Sequence, residues 1–137
     1  MDEKEATKLT DEQVLQRLLA VDGVPEKTVT IPRLGIPVTL RGLTGKAVFQ
    51  LREACTYRRP AKGREIETLD EEKFNCRLIA AATVKPKWDH PELLAKYQAS
   101  GAEEVIKRLL LAGELAALGD LVLELSGFGV ELEEVKN

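Results

Sequence analysis

The chain has few of the side chains that carry catalytic chemistry. Its 137 residues include one histidine, two cysteines and one tryptophan, and aromatic residues make up only 4%. One histidine excludes a histidine-based metal cluster, and a mixed Cys/His site would have too few ligands. No apolar run approaches the roughly 18 residues that span a bilayer. The acidic, polar start of the chain also lacks the apolar segment of a signal peptide. We therefore expect a cytoplasmic protein that does not associate with a membrane.

The few candidate catalytic residues have simpler structural explanations. Cys55 and Cys76 each lie in a helical pattern, which favours two buried free thiols over a disulfide in a reducing cytosol. His90 directly precedes a proline, which is typical of a turn rather than of a catalytic partner for a thiol. The stretch 42–46 has a Gly-Lys pair but not the spacing of a phosphate-binding loop, and Thr44 is better explained as a helix N-cap. We predict no catalytic residue, no metal ligand, no cofactor and no enzyme activity.

Length and composition indicate one globular domain. A chain of 137 residues can bury a sizeable core, and its hydrophobic and charged fractions of 44% and 31% are ordinary. We predict a single domain over 1–137. Residues 1–9 and 129–137 lack apolar periodicity, so we expect both ends to be flexible.

Charge is distributed unevenly along the chain. The net charge is −3, but residues 28–67 carry eight bases and three acids, whereas residues 100–137 carry three bases and eight acids. Such asymmetry indicates either solvated faces or attraction between the two regions, between subunits, or to a partner. Head-to-tail self-association is one hypothesis. Because the whole chain is acidic and Tyr57 is the only aromatic residue close to the bases Arg58, Arg59, Lys62 and Arg64, the pattern argues against nucleic-acid binding.

One β-hairpin is predicted in the N-terminal third of the chain. Apolar and polar residues alternate over 28–31 and again over 36–41, with a turn at Arg33-Leu34-Gly35 between them. Pro32 and Pro37 cannot donate backbone hydrogen bonds, so neither strand can be paired on both sides throughout. Because a two-stranded hairpin is marginally stable in water, we expect it to lie on helices or to cross a subunit boundary.

Helical spacing of apolar residues dominates the rest of the chain. Helices are predicted from the capping residue Thr10 to Gly23, from Thr44 to Tyr57, from Thr68 to Pro86, from Glu92 to Gln98, and from Ser100 to Ser126 with a break at Gly113. Between the second and third helices, Arg58–Arg64 is predicted to be a basic loop, either solvated or in contact with a partner. The predicted fold class is mainly α, a small helical domain with one β-hairpin.

The densest apolar pattern lies in the last predicted helix. Its members recur every three or four residues and form one stripe along the helix: Leu111, Leu115, Leu118, Val122 and Leu125. Gly127 then provides a residue that can adopt the left-handed conformation that ends a helix. The pattern is compatible with a core face and with a partner-docking surface.

Trp88 and Phe128 have the same two interpretations. Trp88 lies in a polar turn, where it either fills a gap between helices or, if exposed, is a binding hot spot. Phe128 follows the terminal helix, where it is likewise either a packing residue or a partner contact. The candidate partner-binding residues are Leu115, Leu118, Val122, Leu125, Phe128, Trp88, Arg33 and Arg41.

Three segments together resemble the XkdN-like family of phage tail assembly chaperones, found in phages and prophages of Gram-positive bacteria. The first is TVTIPRLGIPVTLRGLTGKAVFQLREACTY at 28–57, and the second is FNCRLIAAATVKPKW at 74–88. The third, at 89–128, contains PELL, a tyrosine and GAEEVIKRLLLAGE, and ends in LSGF. The ensemble of segments carries the resemblance, which covers residues 28–128.

The resemblance implies a non-enzymatic assembly factor that acts in the host bacterial cytoplasm and is absent from the mature virion. Proteins of this family bind the long helical tape measure protein, keep it soluble and help tail tube subunits polymerise around it. In many such genes a ribosomal frameshift also yields a longer product that recruits the tail tube protein. The partners that the resemblance implies are the tape measure protein and the tail tube protein. The charge asymmetry adds a further copy of the chain as a candidate partner, and composition predicts no nucleic acid and no membrane.

Two other functions are weighed against this one. A structural tail-completion or adaptor protein that remains in the particle would be the alternative binding function. A small enzyme would need a pocket with a nucleophile or a metal, and the residue inventory argues against it.

Overall fold

The fold is described from a computed structural model, in which residues 8–135 are described. They divide into two units, one formed by residues 24–128 and the other by residues 8–23 with 129–135. The predictions of flexible ends fall partly on residues 1–7 and 136–137, which lie outside the described part of the chain.

The larger unit combines strands and helices in nearly equal number. Its elements are β1 (Glu26–Ile31), β2 (Ile36–Arg41), α2 (Gly45–Ala54), β3 (Thr56–Ala61), β4 (Arg64–Leu69), α3 (Glu71–Ala82), β5 (Thr83–Lys85), α4 (Pro91–Tyr97), α5 (Ala102–Leu109) and α6 (Ala112–Leu125). The smaller unit contains α1 (Asp11–Leu19). The prediction of a mainly α fold with one hairpin is wrong. The fold is α+β: residues 8–135 are 47% helical and 21% strand, with five strands in two antiparallel sheets.

The predicted hairpin is present and belongs to a three-stranded sheet. Strands β1 and β2 pair antiparallel, with Val29 opposite Val38 and Ile31 opposite Ile36. Strand β5 pairs antiparallel with the other side of β2 near Thr39 and Leu40, which gives the order β1-β2-β5. Strand β5 is three residues long and directly follows α3, whereas the sequence predicts these residues as the end of that helix. The outer edge of β1 has no strand paired to it in residues 8–135.

The second sheet replaces the predicted basic loop. Strands β3 and β4 pair in register from Thr56 opposite Leu69 to Ala61 opposite Arg64. The two loop residues, Lys62 and Gly63, both have positive φ, 49° and 78°, as a type I′ hairpin turn requires. The prediction of an irregular loop at 58–64 is therefore wrong. Helix α2 consequently ends at Ala54 rather than at Tyr57.

Side-chain caps fix several helix starts. Thr10 and Gln13 form the predicted capping box of α1, and Thr44 caps α2 as predicted. Helix α3 is capped by Asp70, whose carboxylate accepts from the Lys73 amide at 3.1 Å, and not by Thr68. At α6 the Glu114 carboxylate accepts from the Leu111 amide at 2.8 Å, so the helix break lies just before Leu111 rather than at Gly113.

The three-stranded sheet and the helices behind it enclose an aliphatic core. Helices α3 and α6 pack on each other and on β2. The buried members of the core are Ile31, Val38, Leu40, Cys76, Leu78, Ile79, Ala82, Trp88, Val105, Ile106, Leu110, Leu118 and Val122. Full burial of one such aliphatic side chain contributes about 1.5–3 kcal/mol. The fold is therefore held mainly by branched aliphatic side chains.

Two close backbone approaches complete this packing. A Cβ atom at Gly42 would lie 2.2 Å from the carbonyl oxygen of Leu125, so the end of β2 contacts the end of α6 directly. A Cβ atom at Gly119 would lie 1.8 Å from the side chain of Asn75, whose amide donates to the Leu115 carbonyl at 2.9 Å. Only glycine fits at these positions without displacing a neighbour.

Both cysteines are buried free thiols, as predicted. Cys55 and Cys76 are 3% and 1% exposed. Burial raises the pKa of each thiol, which keeps it protonated and unreactive at neutral pH.

Candidate partner-binding surfaces

The structure places the terminal-helix stripe mostly in the core. Leu118 and Val122 are 4% and 0% exposed, and Leu115 and Leu125 are half-buried against the core. Burial leaves Leu118 and Val122 almost no surface for a partner in this conformation. A partner role for Leu115 and Leu125 stays a prediction, confined to the exposed parts of those side chains.

Trp88 fills a gap inside the larger unit, whereas Phe128 lies at its surface. The Trp88 indole is 3% exposed, and its Nε1 donates to the Thr83 hydroxyl at 3.0 Å. That hydroxyl in turn donates to the Ile79 carbonyl, so the indole nitrogen has its hydrogen bond inside the fold. Phe128 is 54% exposed directly after α6 and remains accessible to a partner.

Arg33 ties the β1–β2 turn to the start of α6. Its guanidinium donates to both carboxylate oxygens of Glu114, at 3.0 and 2.8 Å, and to the Leu109 carbonyl at 3.0 Å. The bidentate hydrogen bond to Glu114 raises the pKa of Arg33, and the same bond lowers the pKa of Glu114. Arg33 therefore has a structural contact within the chain. Arg41, at the exposed end of β2, lies opposite Glu26 in the strand register.

Helix α1 carries an apolar face whose side chains are exposed. Four of its side chains, Val14, Leu15, Leu18 and Leu19, are 42%, 54%, 67% and 75% exposed, and α1 has no buried residue. We call these four residues the α1 stripe. Exposed apolar patches of this kind mark interaction sites, and their spacing matches one side of a helix. The sequence predicts a short helix at this position, and the structure leaves its apolar side chains exposed.

A shallow apolar groove runs between the free edge of β1 and α6. Its volume is about 210 Å³, and its walls include Val29, Ile31 and Pro32 on one side and Ala117, Leu118 and Leu121 on the other. Glu114 lies at its end. The groove is large enough for one or two apolar side chains of a partner.

The second hairpin, β3–β4, projects outside the core. We call residues 56–69 the arm. None of its side chains belongs to the core cluster or to the apolar side chains packed around that cluster. At its base Phe49, Arg52 and Tyr57 line a depression, and Phe49 and Tyr57 are 70% and 50% exposed. Exposed aromatic residues beside arginines are the composition of binding hot spots.

Within 8–135 no group of three or more His, Cys, Asp or Glu side chains could hold a metal ion. The single histidine, His90, caps α4 by accepting from the Glu92 amide at 3.1 Å, which fits the predicted turn. In the same part of the chain no helix is both long and apolar enough to cross a membrane.

The described residues thus form a small α+β fold with exposed apolar and basic-aromatic surfaces. A family model described as Phage XkdN-like tail assembly chaperone protein matches residues 15–137. The chain therefore belongs to the XkdN-like family of phage tail assembly chaperones, which confirms the resemblance found in its sequence. Membership of this chaperone family supports a non-enzymatic role.

Two further comparisons were made, one with solved structures and one with curated protein sequences. The crystal structure of the protein yqbn is similar to this chain, with a TM-score of 0.59 and 24% sequence identity. The match covers 79% of this chain and 89% of that one. At this identity the likeness shows a shared fold. Comparison with curated protein sequences finds no match.

Proposed function

We propose that this tail assembly chaperone binds the tape measure protein of its phage and promotes assembly of the tail tube around it, without catalysis. Family membership supports the general role, and the exposed α1 stripe supports the binding mode. In this proposal the protein acts in the host cytoplasm and leaves before the virion matures. The tail tube protein is a second partner, recruited by a longer frameshifted product.

The α1 stripe carries this proposal because it matches what a tape measure protein needs. A long helical protein exposes amphipathic faces until the tube encloses it, and such faces aggregate unless they are covered. An apolar helix face can cover another by helix-to-helix packing. Covering one exposed leucine contributes about 1.5–3 kcal/mol at most. Each single contact is therefore weak, but several copies along one long partner would gain by multivalency.

A matched pair of α1 variants tests the binding mode. Leu18→Glu adds a negative charge to the stripe, and Gln16→Glu adds the same charge to the exposed polar side of the same helical turn. A tape measure fragment is co-expressed with each variant, and its soluble fraction and co-purification are measured. We expect the wild type and Gln16→Glu to keep the fragment soluble, and Leu18→Glu to lose most of that effect. If the wild type neither raises solubility nor co-purifies, the proposal is wrong.

The alternative of a structural or adaptor protein is tested in the finished particle. Mass spectrometry of purified virions should find the tail tube and tape measure proteins but not this chain. Detection of this chain at the copy number of a tail component would favour the structural alternative.

A further inference from the structure

The arm carries positive charge that its own carboxylates do not neutralise. Between residues 58 and 64 the chain has four bases and no acid. Arg58 contacts Glu65 and Glu67 at 3.5 and 3.7 Å, and all three side chains are more than two-thirds exposed. Within residues 8–135, Arg59, Lys62 and Arg64 have no carboxylate within salt-bridge distance.

The strand register places two of these bases beside apolar side chains on one face. Side chains alternate between the two faces of a strand, and Tyr57 pairs with Thr68, Arg59 with Ile66, and Ala61 with Arg64. The Arg59 guanidinium donates to the Thr68 hydroxyl at 3.0 Å, which agrees with this arrangement. We call this side the basic face of the arm. It combines two arginines, a half-exposed tyrosine and an isoleucine outside the core.

The opposite composition occurs at the other end of the chain. From Ala112 to Val135 there are six acids and no base. We call residues 129–135 the acidic tail. It contains Glu131, Glu133 and Glu134. Val130 and Leu132 of this segment are 70% and 91% exposed. The acidic tail thus offers carboxylates interleaved with exposed apolar side chains.

We propose that the basic face of the arm binds the acidic tail of a second copy of this chain. The carboxylates of the tail pair with Arg59 and Arg64, and the apolar side chains of the tail cover Tyr57 and Ile66. Charge complementarity supports this occupant, because the basic and acidic surfaces are both exposed and both lack internal ion partners in the described residues. It also explains the presence of an isolated two-stranded hairpin, which is marginally stable until something packs on it.

Such a contact joins two different surfaces and therefore repeats from copy to copy. A heterologous contact of this kind generates rings or open chains rather than closed two-fold dimers. Its ionic part weakens with salt, because exposed charges are screened over about 8 Å at physiological ionic strength. Association should therefore rise with protein concentration and fall as salt is added.

Charge reversal on each surface tests the proposal by sedimentation velocity of the full chain. Arg59→Glu with Arg64→Glu should weaken self-association about tenfold or more. Glu131→Arg with Glu133→Arg should do the same. Lys27→Glu with Lys87→Glu, which reverses two exposed bases outside the arm, is the matched control and should change association far less. Circular dichroism checks that every variant keeps its fold.

Mixing the two reversed variants gives the decisive result. Each should be largely monomeric alone. Their mixture should associate, because the unaltered arm of one variant fits the unaltered tail of the other and the reversed arm fits the reversed tail. Recovery in the mixture supports the proposal. The proposal is wrong if the wild type stays monomeric at high concentration and low salt, even if its tail docks on its own arm. It is also wrong if association is insensitive to both reversals. Self-association is measured without any partner protein. A negative result here is therefore distinct from a failure of the chain to bind a tape measure protein.

Discussion

The two hairpins of this protein have similar length and opposite surroundings. In β1–β2, Val38 and Leu40 are fully buried, and Arg33 holds the turn against α6 by two hydrogen bonds to Glu114. In the arm every residue is at least partly exposed, and the strongest ion contacts are long and solvated. The comparison shows that the same local structure can be part of the core in one place and an accessible surface in another.

Truncation of one apolar side chain in each hairpin should produce the largest difference. Leu40→Ala leaves a cavity in the core and should lower the free energy of unfolding by about 2–5 kcal/mol. Ile66→Ala on the arm should cost less than about 1 kcal/mol, because its site is solvated and can relax. Urea denaturation of both variants measures the two values. Equal losses would contradict the distinction between the hairpins.

Glycine substitutions in the two hairpins should change the free energy of unfolding by smaller amounts. Gly42→Ala places a Cβ atom against the Leu125 carbonyl and should cost about 1–3 kcal/mol by overpacking. Gly63→Ala meets open space but keeps a positive φ of 78°, so it should cost about 1 kcal/mol in local strain.

Gly113→Ala is the control for these two variants, because it lies in α6 with open space around it. It should be neutral or stabilising by a few tenths of a kcal/mol. Thermal denaturation gives all three shifts. A cost at Gly113 as large as that at Gly42 would show that the close approach to Leu125 is not the cause.

Loss of the Arg33–Glu114 pair should have a smaller effect than the Leu40 and Gly42 substitutions, and a distinct pH dependence. The folded-state pKa of Glu114 lies below its unfolded value, so the pair stabilises the fold above the ordinary carboxyl range. That contribution disappears as pH falls through the folded pKa. Glu114→Gln should therefore be less stable than the wild type at neutral pH, and the difference should shrink as pH falls below the ordinary carboxyl range.

Glu67→Gln is the matched change on the arm. Its partner Arg58 is 3.7 Å away and both side chains are more than two-thirds exposed, so its removal should leave the stability at neutral pH unchanged. A larger loss at Glu67 than at Glu114 would contradict the stronger anchoring of the first hairpin.

The strongly periodic parts of the fold were predictable from sequence. The alternation over 28–41 predicted β1 and β2, and the capping residues Thr10 and Thr44 predicted the starts of α1 and α2 correctly. These signals are local: a capping side chain and a period of two or 3.6 act within a few residues.

The arm was missed because its sequence lacks that periodicity. Arginines and Pro60 dominate β3, and its two-residue turn uses Lys62-Gly63 rather than the common Asn-Gly. The signals that favour a hairpin are Ile66 and Thr68 on the return strand, and a glycine that follows a single turn residue. Strand β5 was missed for another reason, since three residues carry too little pattern and its pairing with β2 is set by tertiary contact.

The candidate surfaces were only partly predictable. Apolar residues have helical spacing in both α1 and α6, but this spacing does not tell a core face from an exposed one. The structure buries Leu118 and Val122 and leaves Leu15 and Leu18 exposed, and only the packing of neighbouring elements decides this. Trp88 and Arg33 likewise find partners inside the fold that their sequence neighbours do not indicate.

Native-state hydrogen exchange of the two hairpins tests most directly the claim that β1–β2 supports the fold and the arm is a docking surface. In dilute chain the β2 amides should exchange near the rate of global unfolding, and the β3 and β4 amides should exchange much faster. At a concentration where the chain self-associates, the arm amides should become protected while β2 is unchanged. Equal, high protection of both hairpins in dilute chain, or no gain at the arm on association, would contradict the account.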